Sequence, residues 1–160
     1  MSIDQIKDHI RNRPYMDGVM RNAVRIKATQ EIFTPTEMVK NLLDGLDQTL
    51  FVDITQPFVD PSCGDGQFLG EVLIRKIENG STFEQALQTI YGVDLMPDNV
   101  DLCRKRLLCG QEHLRHIVEQ NIVCADALRY HYRFDSSHPY DDEVKAHKKQ
   151  QHFASLFTLE

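Results

Sequence analysis

The hydrophobic positions of this chain alternate between short continuous runs and runs at helical spacing. Three short runs predict buried strands: residues 57–60, Ile90–Asp94, and a strand within residues 117–124 that ends near Asp126. Apolar positions at three- and four-residue spacing predict a helix after each of the first two runs. This alternation requires crossover connections, so it predicts an α/β fold with a mainly parallel sheet and helices on both faces.

Capping residues predict where several helices begin. Thr34, Pro35 and Glu37 form a helix-start pattern. The helix that follows has an apolar face made of Met38, Val39, Leu42, Leu43 and Leu46. Residues 81–84 form a second capping box, which predicts a short helix through about Gln88. Residues 97–108 are predicted to form a longer helix that begins at a proline.

Composition is typical of an ordinary globular protein. The chain has 160 residues, 41% hydrophobic and 26% charged, which fits one domain with a real core. No apolar stretch approaches the roughly 20 residues of a membrane span, and the N-terminus lacks a signal-peptide pattern, so a cytoplasmic protein without membrane contact is predicted. By pattern the chain divides into a polar N-terminal arm (1–30), an α/β domain (31–134) and a polar, partly helical tail (135–160).

Charge and cysteine spacing narrow the function further. A net charge of −6 argues against a free-standing nucleic-acid binder. Residues 11–27 nevertheless carry five basic side chains and one acidic one, which fits either a solvated helix face or phosphate contacts. The four cysteines match neither a zinc site nor a disulfide framework. We therefore predict reduced thiols and no metal site.

Aspartates follow the three predicted strands, at Asp60, Asp94 and Asp126. Ligands of open α/β sheets bind outside the carboxyl ends of the strands, so these acids are expected to share one crevice. The loop of residues 60–66, DPSCGDG, carries acids where a dinucleotide loop would present amides to a pyrophosphate. Carboxylates suit hydroxyls and amines. S-adenosylmethionine offers both, although each aspartate could instead cap a turn.

The chain resembles the S-adenosylmethionine-dependent DNA methyltransferases that modify adenine at N6, like the modification subunits of restriction systems. The resemblance covers about residues 29–128 and lies in four pieces: IFTP at 32–35, VDPSCGDGQFL at 59–69, YGVDL at 91–95 and CADAL at 124–128. It implies an incomplete Rossmann-like class I methyltransferase core with S-adenosyl-L-methionine as cofactor.

The resemblance also implies a cofactor-binding role for twelve residues. Phe33 and Thr34 would close over the methionine end and hold its carboxylate. Asp60 would take the amino group, directly or through water, beside a loop whose glycines permit close approach. The full set is Phe33, Thr34, Asp60, Pro61, Cys63, Gly64, Gly66, Asp94, Leu95, Asp126, Ala127 and Leu128.

The adenosyl half of the cofactor would lie at the next two strand ends. Asp94 would accept hydrogen bonds from the ribose hydroxyls, and Asp126 would accept from the adenine 6-amino group. Leu95 and Leu128 would be apolar walls. Cys63 fits a small packing residue better than a nucleophile, because no activating base lies near it in the sequence.

One family element is missing. Amino-methylating enzymes carry an Asn/Asp-Pro-Pro-Tyr/Phe turn that holds the target amine and stacks on the flipped base. Residues 134–140, FDSSHPY, have one proline and a histidine where the asparagine belongs, so a surface loop is favoured and no catalytic residue is predicted.

Three functions stay open. The chain could methylate adenine in DNA when a partner chain supplies the catalytic turn. It could be a non-catalytic module that binds or sequesters S-adenosylmethionine in anti-restriction or regulation. It could also be an interaction scaffold whose exposed sheet edge pairs with a copy of itself or with a partner.

Overall fold

The computed structural model describes residues 1–14 and 34–135. In chain order the described elements are α1 (Ile3–Asn12), α2 (Thr36–Asp44), α3 (Thr49–Val52), β1 (Phe58–Asp60), α4 (Gln67–Glu78), α5 (Phe83–Gln88), β2 (Ile90–Asp94), α6 (Pro97–Leu108), a 3₁₀ helix (Glu112–Leu114), α7 (Arg115–Asn121) and β3 (Ile122–Cys124). All three predicted strands are present. The segment predicted as tail lies outside the described residues from residue 136 onwards, and so does the arm from residue 15.

The strands form a small open sheet in the order β1-β2-β3, and both neighbouring pairs are parallel. Phe58 pairs with Ile90, and Asp94 pairs with Cys124. The α/β class and the parallel sheet are therefore confirmed. Because all three strands run the same way, their carboxyl ends meet at one edge of the sheet.

The described helices pack on one face of this sheet. Each of them contributes side chains to the main hydrophobic core, which also contains Ile90 and Ile122. The opposite face carries Val93 and Val123, and a loop segment with Tyr130 and Phe134 covers it. The prediction of helices on both faces is wrong for this part of the chain. Right-handed crossovers between strands that advance in one direction place both connections on the same side.

Helix α4 is the centre of the core and contacts α1, α2, α5, α6 and the sheet. Helix α1 begins with a capping box formed by Ser2 and Gln5, and it buries Ile6 and Ile10. A Cβ atom on Gly70 of α4 would lie 2.7 Å from Ile10 Cγ2, so the two helices are in close contact. The first part of the segment predicted as a polar arm is thus a packed helix.

Two helix starts differ from the prediction. Pro35 occupies the N-cap position of α2 without a side-chain cap, and Thr34 precedes it. Thr82 caps α5 together with Gln85, one residue later than predicted. Of the predicted apolar face of α2, only Val39 and Leu43 are buried; three residues remain exposed, namely Met38, Leu42 and Leu46.

Across residues 1–14 and 34–135, no helix combines the length and the apolar character needed to span a membrane.

Candidate functional site

The three strand-end aspartates form the same local turn. Oδ1 of Asp60, Asp94 and Asp126 accepts a hydrogen bond from the backbone N–H two residues further on, at 3.0, 2.8 and 3.0 Å. This turn is a common structural use of aspartate. The turn alternative is therefore present at all three positions, and it engages one oxygen of each carboxylate.

The glycine loop, residues 60–66, lies on the carboxyl end of β2. Gly64 N–H donates to Asp94 Oδ2 at 3.0 Å, and Cys63 N–H donates to the carbonyl of Val93 at 2.9 Å. Asp94 is 9% exposed, and Asn99 Nδ2 also reaches its Oδ1 at 3.4 Å. The structure thus brings the loop after β1 and the acid that ends β2 into direct contact.

Asp60 and Asp94 lie close enough to influence each other's charge. Burial raises the pKa of Asp60, the Ser62 N–H opposes this shift, and the negative charge of Asp94 raises the pKa of Asp60 further. A cation bound beside these carboxylates would favour their ionised forms. The electrostatics of this end of the sheet therefore favour an amine or another cationic group over a phosphate.

Asp126 lies one step further along the same edge. Ala125, its neighbour, donates its N–H to the carbonyl of Asp94 at 3.0 Å. Asp126 Oδ2 is 3.8 Å from Arg129 Nε in a solvent-exposed pair. Leu128, a predicted apolar wall, is 96% exposed. The described contacts of Asp126 are consequently those of its own turn.

The other predicted site residues have mixed surroundings. Leu95, the second predicted wall, is 37% exposed, and Ala127 is partly buried against the aromatic cluster of Tyr130 and Phe134. Thr34 is half-buried and precedes α2, whose Thr36 accepts a hydrogen bond from the first side chain of α4. Phe33 lies outside the described residues.

The glycines serve packing behind the loop. A Cβ atom on Gly66 would lie 2.7 Å from Cys103 Sγ, and one on Gly92 would lie 2.9 Å from Cys63 Sγ. Gly66 also has a left-handed conformation, with φ +84°. Close approach of a ligand is the predicted reason for a glycine at position 66. The packing against α6 is a second reason, because a larger side chain would not fit there.

Cys63 has the surroundings of a packing residue. A hydrogen bond with the Cys103 thiol and burial raise the pKa of the Cys63 thiol. A raised pKa keeps the thiol protonated and poorly nucleophilic. None of the four cysteines, all of which lie in the described part of the chain, forms a disulfide.

Asp65 does not join the carboxylates of the crevice. Asp65 is 1% exposed, and its Oδ1 accepts a hydrogen bond at 2.9 Å from Nη1 of Arg106, a residue of α6. The sequence pattern predicts this acid in the ligand loop and does not identify Arg106 as its partner. One signal was available: Arg106 lies three residues after Cys103 and beside Leu107, on the buried side of a predicted helix. An arginine at a core position requires a buried acceptor.

Two basic residues of the stretch 11–27, which was predicted to be either a solvated helix face or a set of phosphate contacts, are held by buried acids. Arg11 donates through Nε and Nη2 to Glu71, both at 2.8 Å, and this contact raises the pKa of Arg11. Arg13 lies 3.5 Å from Asp65 Oδ2. Neither described side chain is a simple solvated charge. The remaining basic residues, Arg21, Arg25 and Lys27, lie outside the described residues.

An apolar groove of about 420 Å³ runs beside β1, between α2 and α4. Its exposed lining includes Leu42, Leu46 and Val59, and Asp60 and Pro61 stand at its border. Strand β1 is an edge of the sheet in the described part of the chain. The groove therefore joins an open strand edge to one end of the glycine loop.

Among the described residues, no group of three His, Cys, Asp or Glu side chains could hold a metal ion. Comparisons with protein-family models, with curated proteins and with solved structures find no match to this chain. The fold and the site define an α/β protein with a small parallel sheet and a glycine loop bound to a strand-end carboxylate.

Proposed function

We propose that this chain binds S-adenosylmethionine and is the cofactor-binding part of a DNA adenine-N6 methyltransferase-like protein. The observation that carries the proposal is the hydrogen bond from Gly64 N–H to Asp94, with the Asp60 carboxylate nearby. It joins the glycine loop to a strand-end acid at the place where open α/β sheets bind ligands.

The donor set fits the cofactor. Bound S-adenosylmethionine would supply an electrophilic methyl group on its sulfonium. Burial and the charge of Asp94 raise the pKa of the Asp60 carboxyl. The cationic amine of the cofactor would stabilise the ionised form of this carboxyl and would form an ion pair with it. Asp94 would accept from the ribose hydroxyls, which would compete for its oxygens with the donors of Gly64, Met96 and Asn99. Asp126 would accept from the adenine amino group.

We further propose that methyl transfer needs a partner chain. The sequence lacks the Asn-Pro-Pro-Tyr turn, and the groove beside β1 exposes Leu42, Leu46 and Val59. Exposed apolar surface next to an open strand edge favours association with another polypeptide. The missing turn equally suits a module that binds the cofactor without catalysis, and activity assays separate these two functions.

Calorimetry of the full chain with S-adenosylmethionine tests the binding step. Asp94→Ala should weaken binding by about 5- to 150-fold, the equivalent of about 1–3 kcal/mol. Asp101→Ala is the matched control, because Asp101 is an exposed acid of α6 whose ion pair with Arg104 is long, at 3.9 Å. A folded wild-type chain that binds no cofactor at millimolar concentration would overturn the proposal.

Asp94 also supports the loop, so a loss of affinity in Asp94→Ala does not by itself show a ribose contact. A comparison of two ligands that differ only in the ribose hydroxyls isolates that contact. Wild-type protein should prefer S-adenosylhomocysteine over its 2′-deoxyribose analogue, because the analogue lacks one hydroxyl donor. Asp94→Ala should lose most of that preference. An equal preference in both proteins would show that Asp94 acts only as a turn and loop residue.

Labelled methyl transfer to mixed-sequence DNA tests the partner requirement. The pure chain should transfer no methyl groups although it binds the cofactor. Efficient transfer by the chain alone would contradict the need for a partner. If a partner chain that carries a strand followed by an Asn-Pro-Pro-Tyr turn restores methyl transfer, the non-catalytic function is excluded.

A further inference from the structure

A buried polar cluster holds the glycine loop from behind. We define this anchoring cluster as Arg106, Asp65, Gln67 and Arg13. Arg106 is 0% exposed, Asp65 1% and Gln67 7%. Arg13 is partly exposed at the end of α1. The cluster therefore joins the loop, α4 and α6 through three side chains that are nearly free of solvent contact, and it reaches α1 through the partly exposed Arg13.

The guanidinium group of Arg106 forms hydrogen bonds with the residues on both sides of Gly66. Arg106 Nη1 donates to the backbone oxygen of Asp65 at 3.1 Å and to its Oδ1 at 2.9 Å. Arg106 Nη2 donates to Gln67 Oε1 at 2.9 Å. Gly66, between them, has the left-handed conformation and lies against Cys103 of the same helix. Helix α6 thus both packs against the loop and fixes its two flanking residues.

The same loop presents its front to Asp94. Gly64, which directly precedes Asp65, donates to Asp94, and Gly66 N–H closes the loop by donating to the carbonyl of Cys63 at 2.8 Å. A shift of Asp65 would therefore move the peptide next to Gly64 and disturb its contact with Asp94. The anchoring cluster and the candidate site therefore meet at two adjacent residues, Asp65 and Gly64.

A buried ion pair is a weak source of net stability, because desolvation of both charges offsets much of their attraction. Its clearer effect is to select one arrangement, since any loop conformation that separates Arg106 from Asp65 leaves buried charges without compensation. Buried charges with several fixed hydrogen bonds favour a single geometry. The anchoring cluster suits a loop that must be formed before its ligand arrives.

We propose that Arg106 is a positioning residue for the cofactor. Acting through Asp65 and Gln67, it holds the glycine loop in the conformation that binds Asp94 and accepts the ligand. This inference rests on the proposed function and deepens it. Arg13, which donates to Gln67 Oε1 at 2.6 Å, supports the same loop from α1.

Arg106→Met in the full chain tests the proposal, with amide hydrogen exchange in the absence of ligand as the first readout. The reporters are the amides of Cys63, Gly64 and Gly66, because the first two donate to the carboxyl end of β2 and the third donates within the loop. Their protection should fall more than that of the β2 amides. Arg115→Met is the matched control, because Arg115 pairs only with surface acids in the described structure.

The affinity for S-adenosylmethionine is the second readout. If the variant loop is competent about one-tenth of the time, the dissociation constant should rise about tenfold. Leu87→Ala controls for general destabilisation: Leu87 is a buried residue of α5, which precedes the amino end of β2, so its loss removes core packing away from the loop and should leave the affinity unchanged. Arg106→Lys keeps the charge without the two-nitrogen geometry and should restore only part of the affinity.

The outcomes separate this inference from the proposed function. Unchanged loop protection and affinity in Arg106→Met would overturn the positioning role. If Arg106→Met lowers the protection of the loop amides but the wild-type protein binds no S-adenosylmethionine, the positioning of the loop by Arg106 is supported and the proposed function is overturned. If Arg106→Met does not fold, Asp65→Asn gives the same test, because it removes the charge and keeps the side-chain shape. Normal protection of the loop amides in Asp65→Asn would then refute the anchor.

Discussion

Replacing Gly66 by alanine should destabilise the protein through two separate effects. The first is conformational, because an L side chain is strained at the left-handed φ of +84° found at this position. The second is steric, because the new Cβ would lie 2.7 Å from Cys103 Sγ, with the Cα and Cβ of Cys103 both at 3.4 Å. Cys103 is fully buried and has little room to move.

The two effects have different expected sizes. Left-handed backbone costs an L residue about 1–2 kcal/mol, and overpacking a core typically costs about 1–3 kcal/mol. Gly66→Ala should therefore lower the free energy of unfolding by about 2–5 kcal/mol in total. Gly80→Ala is the control, because Gly80 also has a positive φ, +103°, but its added Cβ would meet nothing within 4 Å.

Urea unfolding with linear extrapolation measures these losses. A double-mutant cycle with Cys103→Ala isolates the steric part, because that substitution removes the closest atom. Gly66→Ala should cost less in the Cys103→Ala background than in the wild type, by about 1–3 kcal/mol. If Gly66→Ala costs no more than Gly80→Ala, or if the cycle shows no coupling, the close packing of the loop on α6 is refuted.

Two further substitutions test other parts of the structure. Because the fold raises the pKa of Asp60 above its ordinary value of 3.8, the stability from this group is present at pH values below 3.8 and is lost as pH rises through the folded pKa. Asp60→Asn should thus gain stability relative to wild type between pH 3.5 and 7 in denaturant titrations, and a constant difference would refute the assigned shift. Ile10→Ala should cost about 2–5 kcal/mol in the same assay, whereas the exposed Ile54→Ala should change stability by less than about 0.5 kcal/mol; equal effects would show that α1 is not part of the core.

Elements with strong local signals were predictable from the sequence. Strand β2 and helix α6 have the predicted bounds, because a continuous apolar run and an N-terminal proline mark them locally. The start of α5 was less certain by nature: Ser81 and Thr82 can both cap, and Glu84 and Gln85 can both complete a capping box. Tertiary packing selected Thr82 and buried Ser81.

The arrangement of helices around the sheet was harder to predict. Periodicity indicates which residues of a helix are apolar, but the side of the sheet depends on strand order, which no local pattern encodes. The order β1-β2-β3 places the crossovers on one side. Helix α2 shows a related effect, since Leu42 and Leu46 belong to its apolar pattern and remain exposed in the described structure.

The geometry of the candidate site was predictable where it depends on strand ends and not where it depends on residues distant along the chain. The pattern of acids after strands led to Asp60, the first residue of the glycine loop, and to Asp94, which binds the loop and influences the charge of Asp60. Asp65 looked equivalent to them in the sequence. Its partner Arg106 is 41 residues away along the chain, and only the packing of α6 under the loop shows that this charge is already compensated.

The position of α1 has a consequence for the order of folding. This helix precedes the other described elements in the chain, yet it packs on α4 and α6, and His9 Nε2 lies 3.1 Å from the carbonyl of Lys105, 96 residues later. An isolated ten-residue helix is only marginally stable in water. During translation α1 therefore cannot complete its packing until α6 has been synthesised, although each strand pairs with its neighbour in sequence.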